Sequence, residues 1–145
     1  MRLEPFYRVT FTTPESWNVE LEGDTGTEGL SFLIAEGRAE GLLSARYRAA
    51  NFPRRRTDGT LTPDFRGVFE TDDGATILFA WHGLARTGAS GMRELLGTIT
   101  HVSGDERYRW LNDRLCAIAG EVRPREGGGF DVVLDVSELI WEPVG

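Results

Sequence analysis

Two side chains in this sequence have an unperturbed pKa near neutrality, His82 and His101, and acid-base chemistry at physiological pH turns first to them or to a buried carboxylate. Each lies at or near the end of a strand-like run, a place from which a side chain can face the mouth of a closed sheet. The same alternating runs hold Arg46, Asp64, Arg66, Glu70, Trp81, Asp135 and Glu138. An arginine beside a carboxylate can grip a carboxylate or enolate through two hydrogen bonds and stabilise negative charge as it develops. On that chemistry Glu70, His82 and Glu138 are the candidates for moving a proton. Arg46, Asp64, Arg66, Trp81 and Tyr108 are the candidates for holding a substrate, with Tyr108 at a capped end. The plainer reading of the row Asp64, Arg66, Glu70 is a wetted outer face, because an antiparallel sheet commonly exposes one side to water. The row carries function only if it shares a cavity with aromatic side chains.

Other chemistries are closed off by composition. All 16 basic residues are arginine, so there is no lysine to form a Schiff base, act as a general base or sit in a phosphate loop. The formal net charge of -7 argues against a nucleic-acid or anionic-membrane partner, both of which recruit a basic surface. Cys116 is the only cysteine; it excludes an internal disulfide and reads as a buried small hydrophobe. No close-spaced ligand pair points to a metal, and no nucleotide-binding or nucleophile-elbow motif occurs, so neither metal nor cofactor is expected. Arg54-Arg55-Arg56 reads as a solvated loop, and Asp72-Asp73-Gly74 as a turn. The opening Met1-Arg2-Leu3-Glu4-Pro5 lacks the apolar core of a signal peptide, and the expected compartment is the cytoplasm.

The elements that must position these residues are short strands. A length of 145 residues suits one domain, here residues 1–145. Strands are expected over Glu4–Phe11, Ser16–Leu21, Leu30–Ala35 and Leu42–Arg48, which are aromatic-rich, alternating or, for Leu30–Ala35, short and apolar. Asp64–Glu70 and Ala75–His82 form a hairpin about Asp72-Asp73-Gly74, and Leu115–Arg123 and Phe130–Trp141 form a second. Leu95–Val102 is another strand, after an irregular loop over Gly83–Gly91. Ser103 with Glu106 makes a capping box, which predicts one short helix near residues 104–112. About nine antiparallel strands must stack or close, and closure removes the exposed edges, so an all-β barrel is favoured over a sandwich.

Three segments, with the glycine-spaced Glu36-Gly37-Arg38-Ala39-Glu40-Gly41 ahead of them, carry a resemblance. Phe65-Arg66-Gly67-Val68-Phe69-Glu70-Thr71-Asp72-Asp73-Gly74-Ala75, then Asp105-Glu106-Arg107-Tyr108-Arg109-Trp110-Leu111-Asn112, then Asp135-Val136-Ser137-Glu138 resemble the DUF3237 (UPF0311) family, in the same order along the chain. The resemblance implies a calycin-like, lipocalin-type β-barrel with a central pocket for a small organic molecule. It also implies that some relatives act as cyclases on aromatic, polyketide-like substrates. Three functions follow as alternatives: a cofactor-free cyclase, isomerase or lyase; a small-ligand carrier or sensor; and an oligomerising scaffold with a filled barrel, of which a homodimer is the simplest form.

Overall fold

The computed structural model describes residues 1–145. Ten strands follow in order: β1 (Arg2–Gly23), β2 (Gly26–Gly41), β3 (Ala45–Asn51), β4 (Arg54–Arg55), β5 (Leu61–Thr62), β6 (Asp64–Thr71), β7 (Thr76–Thr87), β8 (Arg93–Val102), β9 (Leu115–Pro124) and β10 (Phe130–Ile140). Leaving aside the two-residue ribbon of β4 and β5, each strand pairs antiparallel with its chain neighbours. The first pairs with the last, and β7 pairs with β8 over ten positions. The eight long strands therefore close into an up-and-down barrel. No helix is long and apolar enough to cross a membrane.

Three expectations need correction. Glu4–Phe11 and Ser16–Leu21 are parts of one 22-residue strand, joined through a register shift between Thr12 and Glu15 that takes up Pro14. Beyond that bulge, β1 and β2 continue as a two-stranded arm with Trp17 stacked on Phe32 at 4.5 Å. The segment read as an irregular loop over Gly83–Gly91 is strand as far as Thr87, and only its last residues turn. The expected helix is a single 3-10 turn at Arg109–Leu111. No capping box forms: the Ser103 hydroxyl donates to the Thr76 carbonyl and accepts from the Asp105 N–H at 3.2 Å, not from that of Glu106, while Asn112 bonds both the N–H and the carbonyl of Ser103. The chain is pinned at both ends of too short a loop for helical turns to propagate.

Alternation sorts the barrel's two faces. On β6, Phe65 and Phe69 are buried inside, whereas Arg66 and Glu70 are exposed outside. One half of the interior is solid. Phe69 is fully buried with Tyr7 at 5.4 Å, Tyr47 at 5.6 Å and Phe79 at 4.7 Å between ring centroids. The 103–114 segment closes that end, with Leu111 fully buried and Trp110 set edge-on against Phe6.

Close strand approach in this barrel needs Gly67. A Cβ there would lie 2.1 Å from the Arg48 carbonyl oxygen and 2.7 Å from Phe79 Cζ. Gly67→Ala is expected to destabilise the fold by about 2–3 kcal/mol, as overpacking against backbone that cannot yield. Equilibrium unfolding in urea reads this directly, and a loss below about 0.5 kcal/mol would show that β3 and β6 can part without cost.

Candidate functional site

The end of the barrel opposite the 3-10 turn is not filled. It encloses a cavity of about 580 Å³, within the range that holds a drug-sized molecule. The floor is aromatic: Phe65 and Trp81 stack at 4.1 Å with planes 7° apart, next to Phe11. Leu33, Ala85, Leu95, Val122 and Val132 form the apolar walls. The emptiness follows from β7 and β8, where Gly83 faces Gly97 and Ala85 faces Leu95, so little side-chain volume projects inward beyond Trp81.

Polar groups at this end are few and mostly committed. Trp81 Nε1 donates to Tyr47 Oη at 3.1 Å, and burial raises the Tyr47 hydroxyl pKa far above its ordinary value, so it stays neutral. Asn51 Oδ1 accepts from the Asp64 backbone N–H at 2.9 Å, which leaves the amide nitrogen as the free end of that side chain. Thr12, Thr13, Ser16, Arg93 and Arg125 complete the polar rim. The lining holds no aspartate, glutamate, histidine, cysteine or tyrosine.

The structure separates the residues singled out from sequence. Of them Trp81 alone lines the cavity. Arg46, Asp64, Arg66, Glu70 and His82 occupy the outward phase of β3, β6 and β7. They form two polar clusters there: Arg46 and Arg48 reach Glu36 at 3.8 and 3.6 Å and Arg48 reaches Glu70 at 3.6 Å, while Asp64 lies 3.8 Å from Arg66 and 3.1 Å from His82 Nε2. Asp135 is also outside, bonded twice to Arg8 at 2.7 and 3.0 Å. The alternation that made this row visible is the same alternation that turns it to water.

Three more candidates gather at the closed end. Tyr108 donates to Asp73 Oδ2 at 2.8 Å, and with Thr71 Oγ1 this holds the Asp73 carboxyl below its usual range. Glu138, with its side chain 12% exposed, accepts from Arg114 Nη1 at 3.2 Å. His101 faces inward and shares a 2.6 Å hydrogen bond with Tyr7 Oη, and burial pushes its pKa down to about 4. Cys116 is fully buried and its thiol is pushed up to about 12, so it is a filler without nucleophilic character at neutral pH.

Sequence reasoning missed Asn51, Arg93, Leu95 and Arg125. Arg93 shares its phase on β8 with Leu95, Ile99 and His101, a signal that extending the expected strand by two residues exposes. Arg125 lies in a turn and carries no periodic signal.

The chain matches, over residues 1–139, the model of a family described as a protein of unknown function, DUF3237. It belongs to the DUF3237 family. Its barrel is similar to that of a beta-barrel-like protein from Acinetobacter baumannii AYE, with a TM-score of 0.79, 22% identity and 96% of each chain covered. A conserved protein of unknown function from Rhodopseudomonas palustris superposes with a TM-score of 0.75 at 16% identity, covering 96% of this chain and 97% of its own. An enzyme from Penicillium herquei gives 0.61 at 19% identity, with 93% of each chain covered. These likenesses show the shared fold of this DUF3237 chain. No curated protein matches it.

Proposed function

We propose that this DUF3237 barrel binds one small organic molecule in the cavity at its open end. The observation that carries the proposal is a barrel filled with aromatic rings at one end and hollow at the other, with an aromatic floor and apolar walls. A lumen filled throughout would have favoured a scaffold. The lining also lacks a group that can exchange a proton near neutral pH, so binding is the better supported activity. A catalytic reading draws on the fold shared with the Penicillium herquei enzyme. In that reading the cavity accelerates a cyclisation by holding a reactive conformer, with the rim arginines stabilising an enolate or phenolate.

The test uses N-phenyl-1-naphthylamine, a neutral probe that fluoresces in apolar surroundings. Wild-type protein is expected to bind one equivalent. Ala85→Trp and Leu95→Trp fill the hollow end and should each weaken binding by at least about tenfold, the equivalent of about 1.4 kcal/mol. Leu84→Trp, on the outer face of β7, should leave it unchanged. Unaltered binding in both filled variants would place the probe elsewhere and sink the proposal.

A further inference from the structure

Resting on that reading of the cavity, we propose that its ligand is an organic anion, an apolar body carrying one carboxylate, phenolate or comparable group that Arg93 and Arg125 hold at the mouth. The chain has 23 acidic residues and a net charge of -7, yet none of those acids lines the cavity, whereas two arginines do. Glu94 and Glu126, the carboxylates adjacent in sequence to those arginines, form no ion pair with them. Glu94, next to Arg93, lies on the outward phase of β8 and pairs with Arg86 at 3.2 Å. Glu121 pairs with Arg123, two residues before Arg125. Arg93 has no carboxylate within 4 Å, and Arg125 reaches only Asp131, at 3.8 Å through Nε, which leaves its terminal nitrogens free.

The backbone makes room for the second arginine. Arg125 N–H donates to the Gly129 carbonyl at 2.9 Å, and Gly129 has φ +78. A Cβ at that position would stand 2.8 Å from Arg125 Nη2, so the guanidinium lies directly over the glycine. The remaining polar capacity is biased in the same direction. The Asn51 oxygen is already occupied by the Asp64 N–H, which leaves its amide nitrogen as a donor. Free guanidinium and amide donors suit a guest that brings negative charge.

The experiment compares N-phenyl-1-naphthylamine with 8-anilinonaphthalene-1-sulfonate, the same ring system carrying one anionic group. Fluorescence titrations are run on wild type, Arg93→Gln/Arg125→Gln and, as a surface control, Arg54→Gln/Arg55→Gln. Wild type is expected to bind the sulfonate at least about tenfold more tightly than the neutral probe, the return of one charge-assisted hydrogen-bond pair. The Arg93→Gln/Arg125→Gln variant should bring the two probes to parity through loss of sulfonate affinity alone. The control should keep the wild-type preference. Equal affinities in wild type overturn the anion proposal while leaving the cavity reading intact, and so does an equal loss of preference in the control. Failure of both probes to bind overturns the cavity reading and this inference together.

Discussion

Replacing Phe69 by alanine is expected to cost the fold about 3–5 kcal/mol, the range for deleting a phenyl ring from a site that cannot collapse. Phe69 is fully buried, touching Tyr7 and Tyr47 on one side and Phe79 and His101 on the other, with every centroid distance between 4.7 and 6.1 Å. Those neighbours stand on four different strands of a closed ring, so none can move in to fill the gap without breaking register. The informative comparison is Leu95→Ala at the hollow end. Leu95 already borders empty space, and its removal enlarges a cavity instead of creating one, so its cost should fall near 2 kcal/mol, the lower end for Leu→Ala. Urea unfolding of both variants at pH 7.5 reads the difference. If Leu95→Ala costs as much as Phe69→Ala, the barrel is packed evenly from end to end, and the hollow that defines the site is not there in solution.

That division into filled and hollow halves marks the limit of what could be read in advance. The hairpin over residues 64–82 was legible because Phe65 and Phe69 alternate with charged residues around an Asp-Gly turn, and it appears with Asp64 opposite His82. The closed barrel followed from the number of short strands and the avoidance of edges. Which stretch of lumen stays empty depends on which inward residues meet across strands far apart in sequence. Gly83 meets Gly97, Ala85 meets Leu95, and Tyr47 of β3 comes up beneath Trp81 of β7. No local pattern encodes that. Arg93 and Arg125 were overlooked for a related reason. Charge in a sequence stands out in rows, such as Arg46, Arg66 and Glu70, and a row of charge on a strand is what a wetted face looks like. A capping box states a preference for helix, but Ser103 is tied to Thr76 and Asn112, contacts distant in sequence that hold the segment to a single 3-10 turn.

A second large effect should appear on acidification. His101 is 3% exposed, its Nε2 is 2.6 Å from Tyr7 Oη, and its Nδ1 is buried without a hydrogen-bond partner. With Tyr7 donating to Nε2, the neutral ring must carry its proton on Nδ1, as a buried N–H with no acceptor. The other tautomer strands both Nδ1 and the Tyr7 O–H, so the pair is under-satisfied either way. Burial pushes the folded pKa down to about 4 from an ordinary 6.5. Below pH 6.5 the unfolded chain takes up a proton that the folded chain refuses, so stability falls as pH falls through this window and levels off below about 4. The loss should be about 2 kcal/mol by pH 5 and about 3 kcal/mol near pH 4. Tyr7 and Cys116, both raised by burial, stay neutral throughout the window, and the depressed carboxyls of Asp58, Asp73 and Asp135 titrate below it. The variant Tyr7→Phe/His101→Phe removes donor and acceptor together and should keep near-wild-type stability at pH 7.5, because apolar rings replace an under-satisfied pair. Its urea midpoint should then stay level from pH 7.5 to pH 5 while that of wild type drops. A parallel drop in both proteins would assign the acid sensitivity to the exposed ion pairs instead, and would leave His101 as packing alone.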